Sequence, residues 1–190
     1  MSIYTNSNQH IIDCPMSKKS SSRPKRKIVS SRHLANSEGW QLSEYEFGLI
    51  IAFHGFSRWM SKCMSASGNS ELSSLEILIL HHVNHREKQK RLADVTFLLN
   101  IEDTHTVNYA LKNLQKYNLI EGEKRGKELF YKTTKTGADL CNKYREVREQ
   151  CLLDSLRHMD MNHDELSDIA ASLRSLSGLY DQASRAASSL

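Results

Sequence analysis

The 190 residues, 39% of them hydrophobic, suffice for one medium domain or a small domain with an added helical part. Only 8 Gly and 2 Pro punctuate the chain, and both prolines (Pro15, Pro24) precede residue 30, so the remainder reads as helix-rich and not as an all-β fold. The net charge of +4 is unevenly placed: without residues 1–33 the chain holds 19 basic and 21 acidic residues, which excludes a uniformly basic body.

Residues 1–38 are polar, Ser-rich and basic, without a hydrophobic period, and are expected to form a flexible arm. Lys18, Lys19, Arg23, Lys25, Arg26, Lys27 and Arg32 follow one another with no acid among residues 18–32. Such a tract can rest on phosphates or simply solubilise the chain. No apolar core of the roughly 7–15 residues of a signal peptide is present, and "FGLIIAF" and "LEILIL" are too short to span a bilayer. A soluble, cytoplasmic protein without membrane association is expected. The four cysteines (Cys14, Cys63, Cys141, Cys151) show no CxxC spacing and read as free thiols rather than a disulfide framework or zinc ribbon.

"SEYE" at Ser43–Glu46 predicts a capping box and a first helix from there to about Ala66, ended by Gly68 and Asn69 in "SASGNS". Phe47, Leu49, Ile50, Ile51, Phe53, Phe56, Trp59, Met60 and Met64 spread over more than one stripe of it. A helix apolar on several sides is usually buried on several sides, which in a chain this small points to a second copy. Ser73 and Glu76 form another capping box, opening a second helix to about Asn84. "HREKQKR" reads as a charged connector with room for one short strand, and "LADVTFLLN" as a third helix facing inward with Leu92, Val95 and Leu99. After a break at 100–103, a fourth helix is expected, capped by Asp103 or Thr104.

That helix, "THTVNYALKNLQK", is two-faced. At about 100° per residue, Val107, Leu111 and Leu114 fall in one stripe, with His105, Asn108, Tyr109, Lys112 and Lys116 opposite. Hydrogen-bonding tips, an aromatic ring and two cations suit a polyanion with readable edges, and they also suit water. The period then changes: Leu119–Lys124 and Glu128–Thr133 read as a hairpin around Arg125, Gly126 and Lys127. Thr134 can cap a long fifth helix over 135–158, carrying Leu140, Tyr144, Val147, Cys151 and Leu152. "NHDE" (Asn162, Glu165) is a third capping box, before a last helix whose stripe is Leu166, Ile169, Leu173, Leu176 and Tyr180.

The third and fourth helices with their turn make a helix-turn-helix, and the hairpin after them makes a wing. This order, with Thr106, Val107, Leu111, Leu114, Leu119, Ile120, Thr134 and Gly137 in register, resembles the MarR family of winged-helix transcription regulators over about residues 40–180. Asn118 stands where the family usually has Gly, and Asn is the next-best residue for a left-handed helix cap. The wing is shorter than usual and lacks the common Asp-x-Arg pair near its tip. The lead "SKKSSSRPKRK", the stretch "EGWQLSEYEFGLIIAFHGFSRWM" and the short wing further resemble an alphaproteobacterial branch tied to cell-wall L,D-transpeptidase genes and osmotic stress.

The resemblance implies a mostly α fold with a small β wing. After the arm read from composition at 1–38, it implies an N-terminal dimerisation helix at 39–70, a winged helix-turn-helix at 71–134 and C-terminal dimerisation helices in 135–190. It implies a homodimer on double-stranded DNA, contacted through Thr104, His105, Thr106, Asn108, Tyr109, Lys112 and Lys116 and, at the wing, Arg125 and Lys127. It implies a small aromatic effector, for which Phe53, Phe56, Trp59 and Tyr144 are candidates; each is also an ordinary dimer-core residue. A winged-helix module that binds protein instead of DNA is the alternative.

Other chemistry is sparse. His81 and His85, four apart, can chelate zinc, but no further Cys or His has matching spacing, so no metal or other cofactor is expected. Cys63 would sense oxidants if Arg58 or Lys62 favoured its thiolate. GxSxG, HExxH and phosphate-loop patterns are absent from the sequence, and no enzymatic activity is expected.

Overall fold

A computed structural model describes residue 33 and residues 39–157 and 163–190. Seven α-helices and a small sheet are found there: α1 Trp40–Ala66, α2 Ser74–Asn84, β1 Lys90–Arg91, α3 Leu92–Leu99, α4 Thr104–Lys116, β2 Ile120–Arg125, β3 Glu128–Thr133, α5 Lys135–Arg148, α6 Asp154–Arg157 and α7 His163–Ala187. The chain forms two compact units, residues 1–49 and 50–190. In the first, the described part is the start of α1; the rest of the description concerns the second.

The predicted start of α1 needs correction. The helix begins at Trp40, so Ser43 lies inside it and is not its cap. Both the N–H and the hydroxyl of Ser43 reach back to the Gly39 carbonyl, at 3.2 and 3.4 Å. A Ser inside a helix can back-bond the carbonyl four residues before it. The predicted basic arm and the cap at Asn162 lie outside the described residues.

The capping box of α2 forms as expected: Ser73 Oγ accepts the Glu76 N–H, and Glu76 accepts the Ser73 N–H. Three helices end in the same way, with a left-handed residue after the last turn. Gly68 (φ 107°), Asn100 (φ 51°) and Asn118 (φ 55°) close α1, α3 and α4. In each, the next residue's N–H bonds five residues back: Asn69 to Met64, Ile101 to Thr96, Leu119 to Leu114. These paired bonds satisfy carbonyls that a helix end leaves open. Asn118 thus forms the left-handed cap expected of it.

The sheet has the order β1-β3-β2, all antiparallel, and the expected short strand in the connector is β1, with Lys90 opposite Tyr131 and Arg91 opposite Phe130. Arg125 pairs with Glu128, leaving Gly126 and Lys127 as a two-residue turn. Gly126 has φ 63° and Lys127 no positive φ, the pattern of a type II′ hairpin turn.

The expected single helix over 135–158 is interrupted. Lys135–Arg148 is α-helical, Glu149–Leu153 is a π-helical turn, and α6 follows. The wider turn spends extra residues per revolution and shifts the apolar stripe, leaving Cys151 exposed and Leu152 and Leu153 half-buried.

The core of the second unit joins Met60 and Met64 of α1, Ile77, Leu80 and Val83 of α2, Val95 of α3, Val107, Leu111 and Leu114 of α4, and Leu140 and Tyr144 of α5. Each of these side chains is nearly solvent-free. Among the described residues, no helix is long and apolar enough to cross a membrane.

Candidate nucleic-acid interface

The two-faced character of α4 is realised. Val107, Ala110, Leu111 and Leu114 are buried, whereas Thr104, His105, Thr106, Tyr109, Lys112 and Lys116 are exposed. Tyr109 keeps 68% of its surface in solvent, so its ring is presented rather than packed. Asn108 is half-buried, at the shoulder between the faces.

The ends of α4 fix this presentation. Asp103 is the cap: one carboxylate oxygen accepts the His105 N–H at 2.9 Å, and the other accepts the Thr106 hydroxyl. These bonds, the Thr106 one foremost, hold the Asp103 carboxyl below its usual range. Its capping strength is therefore present at neutral pH and is lost as pH falls through that lowered value. The Thr106 hydroxyl proton is committed here, while the residue stays exposed.

At the other end, Thr134 ties α4 to α5. Its hydroxyl donates to the Asn118 carbonyl at 2.7 Å and accepts the Gly137 N–H at 3.1 Å. Its own N–H bonds the Leu119 carbonyl. In the middle, Asn113 donates to the buried Glu76 of α2 at 2.9 Å. Neither Asn113 nor Glu76 was among the predicted site residues. A polar residue half-buried at the shoulder of α4 is a weak sequence signal, and its partner is 37 positions away.

At the wing, Arg91 joins the base of the sheet to α3 through Asp94 (3.0 Å) and Glu128 (2.9 Å). The two predicted wing contacts differ. Lys127 is an exposed turn residue and is in no ion pair among the described residues. Arg125 is clamped: its Nε and Nη2 donate to the two oxygens of Glu123 at 2.9 and 3.0 Å, and its guanidinium lies 5.3 Å from the Phe130 ring centre. Gln89 adds a third bond to Glu123 at 2.9 Å. Arg125 first, then Gln89, push the Glu123 carboxyl down to about 2, so the clamp keeps its charge across the physiological range.

The four aromatic candidates are placed unequally. Phe53 and Phe56 are more than half exposed, Trp59 is half-buried against the core, and Tyr144 is buried. Tyr144 packs edge-on against His81, ring centres 4.5 Å apart. His81, one of the two zinc candidates, is thus a half-buried ring whose pKa is lowered by desolvation. Among the described residues no group of three potential ligands could hold a metal ion.

The condition for Cys63 to sense oxidants, a favoured thiolate, is not met. The thiol is 1% exposed, donates to the Tyr144 carbonyl at 3.5 Å, and has a pKa raised foremost by burial. A buried thiol held protonated is a poor nucleophile. Cys141 is likewise buried and pushed up to about 12.

Comparisons with known proteins agree with this architecture. Residues 72–137 match the model of a winged helix DNA-binding domain. No curated protein matches the chain. Among solved structures, reduced AbfR bound to DNA superposes with a TM-score of 0.59 at 15% identity, covering 74% of this chain and 94% of that one. MarR of Staphylococcus aureus, in complex with salicylate and kanamycin, gives 0.57 at 13% identity, covering 75% and 94%. A mutant MarR from Escherichia coli complexed with operator DNA gives 0.52 at 14% identity, covering 68% and 93%. The chain shares the winged-helix fold of MarR proteins.

Proposed function

We propose that the protein is a MarR-type transcription regulator that binds a pseudo-palindromic operator in double-stranded DNA as a homodimer. The observation that carries this is α4: buried on one side, capped at both ends, and presenting Thr104, His105, Thr106, Asn108, Tyr109, Lys112 and Lys116 on or beside the other. A helix entering a major groove needs such tips, because Asn and Lys can pair with base edges and Thr can meet a methyl group or phosphate. Operator DNA in the E. coli relative and DNA in AbfR support the partner class.

The homodimer reading rests on uncovered apolar surface. Ile50, Ile51, Phe53 and Phe56 of α1, and Ile169 and Leu179 of α7, are about half exposed or more in the single chain. Residues 39–70 and 135–190 are proposed to dimerise, residues 71–134 to bind DNA, and the basic arm to lie on phosphates. Salicylate in the S. aureus structure supports a small aromatic effector, with Phe53, Phe56, Trp59 and Tyr144 as its candidate contacts. It would act through differential affinity for the DNA-competent spacing of the two α4 helices. Control of cell-wall or osmotic-stress genes rests only on the sequence likeness noted above. A protein-interaction module would have no use for exposed cations on α4 and at the wing turn.

DNA crosslinked to the protein in cells should be enriched in a two-fold symmetric motif, its half-sites about one helical turn (~34 Å) apart. Enrichment without a shared sequence would overturn the regulator reading. The wing gives a second expectation. Glu123→Gln removes the charge that holds Arg125, so affinity for any duplex should rise and the salt dependence should steepen by about one unit, as one more phosphate contact forms. Unchanged affinity and slope in a salt titration would mean that Arg125 does not reach the backbone.

A further inference from the structure

The Glu76 carboxylate is 6% exposed, unusual for a capping-box acid, which normally faces water. Its two oxygens are divided between two helices. Oε2 accepts the Ser73 N–H at 2.8 Å and the Ser73 hydroxyl at 2.7 Å, closing the start of α2. Oε1 accepts the Asn113 amide at 2.9 Å, from the third turn of α4. Elsewhere α2 and α4 meet through apolar side chains such as Ile77, Leu80, Leu111 and Leu114, which resist separation but tolerate rotation and sliding. Hydrogen bonds are directional and apolar contacts are not. Asn113 directly follows Lys112, one of the side chains assigned to the groove.

We propose that buried Glu76 and half-buried Asn113 form a positioning pair that fixes the rotation of α4 and thereby sets which bases it reads. The inference rests on the DNA-reading role of α4 given above. It makes Glu76 a specificity determinant on a different helix from the one that reads DNA.

The oxygen assignments dictate the test. Asn113→Asp places a second carboxylate against Oε1 and abolishes the bond. Adding Glu76→Gln restores it with reversed polarity: the Gln carbonyl still accepts from Ser73, and its amide donates to the new acid. Specific affinity, non-specific affinity and a selected-sequence profile would be measured for the native chain, Asn113→Asp and the double variant, with thermal unfolding of each.

Asn113→Asp should lower the ratio of specific to non-specific affinity by about tenfold and broaden the profile, as the loss of a coupled pair would. The double variant should return the ratio to within about threefold of native and restore the profile. If Asn113 touched DNA itself, a change at buried Glu76 would not rescue it. A folded Asn113→Asp protein with the native profile, or a folded double variant that stays broad, overturns the proposal. If Asn113→Asp does not fold, the double variant alone decides, by the same criterion, and its own failure to fold overturns the pairing. A native chain without sequence preference would instead overturn the DNA-reading role.

Discussion

Gly137→Ala should destabilise the protein by about 3 kcal/mol or more, the upper range for forcing an atom into packed structure. The sign is diagnostic, since inside an ordinary helix Ala is favoured over Gly by about 1 kcal/mol. Here a β-carbon would overlap the Leu119 carbonyl oxygen and lie 2.9 Å from its carbon, both rigid backbone. That carbonyl is bonded to the Thr134 N–H, and Thr134 caps α5 while holding Asn118. The glycine thus lets the first turn of α5 sit directly on the end of α4. Denaturant unfolding at fixed protein concentration, with Gly178→Ala as control, measures the effect; nothing lies within 4 Å of a β-carbon at Gly178. A Gly137→Ala protein as stable as the native one would mean that α5 does not need this close seat.

The second large effect concerns binding. Asn108→Ala should cost about 1–3 kcal/mol on the preferred operator, and Lys112→Ala a comparable amount, if each loses one base-edge contact. Lys127→Ala should weaken all sequences alike and lower the salt slope by about one unit, because a phosphate contact releases counterions and carries no base information. The contrast follows from placement: Lys112 sits on the outward face of α4, whereas Lys127 occupies a hairpin turn away from that helix. Asn108 is half-buried, which limits its rotamers and lowers the entropy of holding it against a base. Titrations at two salt concentrations separate the two behaviours.

Much of this architecture was legible in the sequence because it is written locally. The Ser73–Glu76 box, the stripe of Val107, Leu111 and Leu114, and the left-handed caps at Gly68 and Asn118 depend on residues within one or two turns. The hairpin was legible for the same reason, because a glycine between alternating runs can only serve a few turn types. The start of α1 was misread because Ser43 fits two local patterns, a cap and a back-bond, and only the preceding turn decides between them. The π-helical turn at 149–153 left no periodic trace. The Glu123 clamp on Arg125 was not foreseen although the two share one face of β2, two residues apart, and the Glu76–Asn113 bond was not because 37 residues separate its partners. The condition set for Cys63 as an oxidant sensor is not met, since nearby cations in sequence say nothing of the burial that keeps its thiol protonated.

The most direct test is a selected-sequence profile of the native protein beside Asn108→Ala and Lys112→Ala. A groove-reading α4 predicts a two-fold symmetric native motif and, in each variant, relaxed preference at one symmetric pair of positions with the rest of the motif intact. Identical profiles for all three proteins would contradict it, and the polar face of α4 would then be a solvated surface.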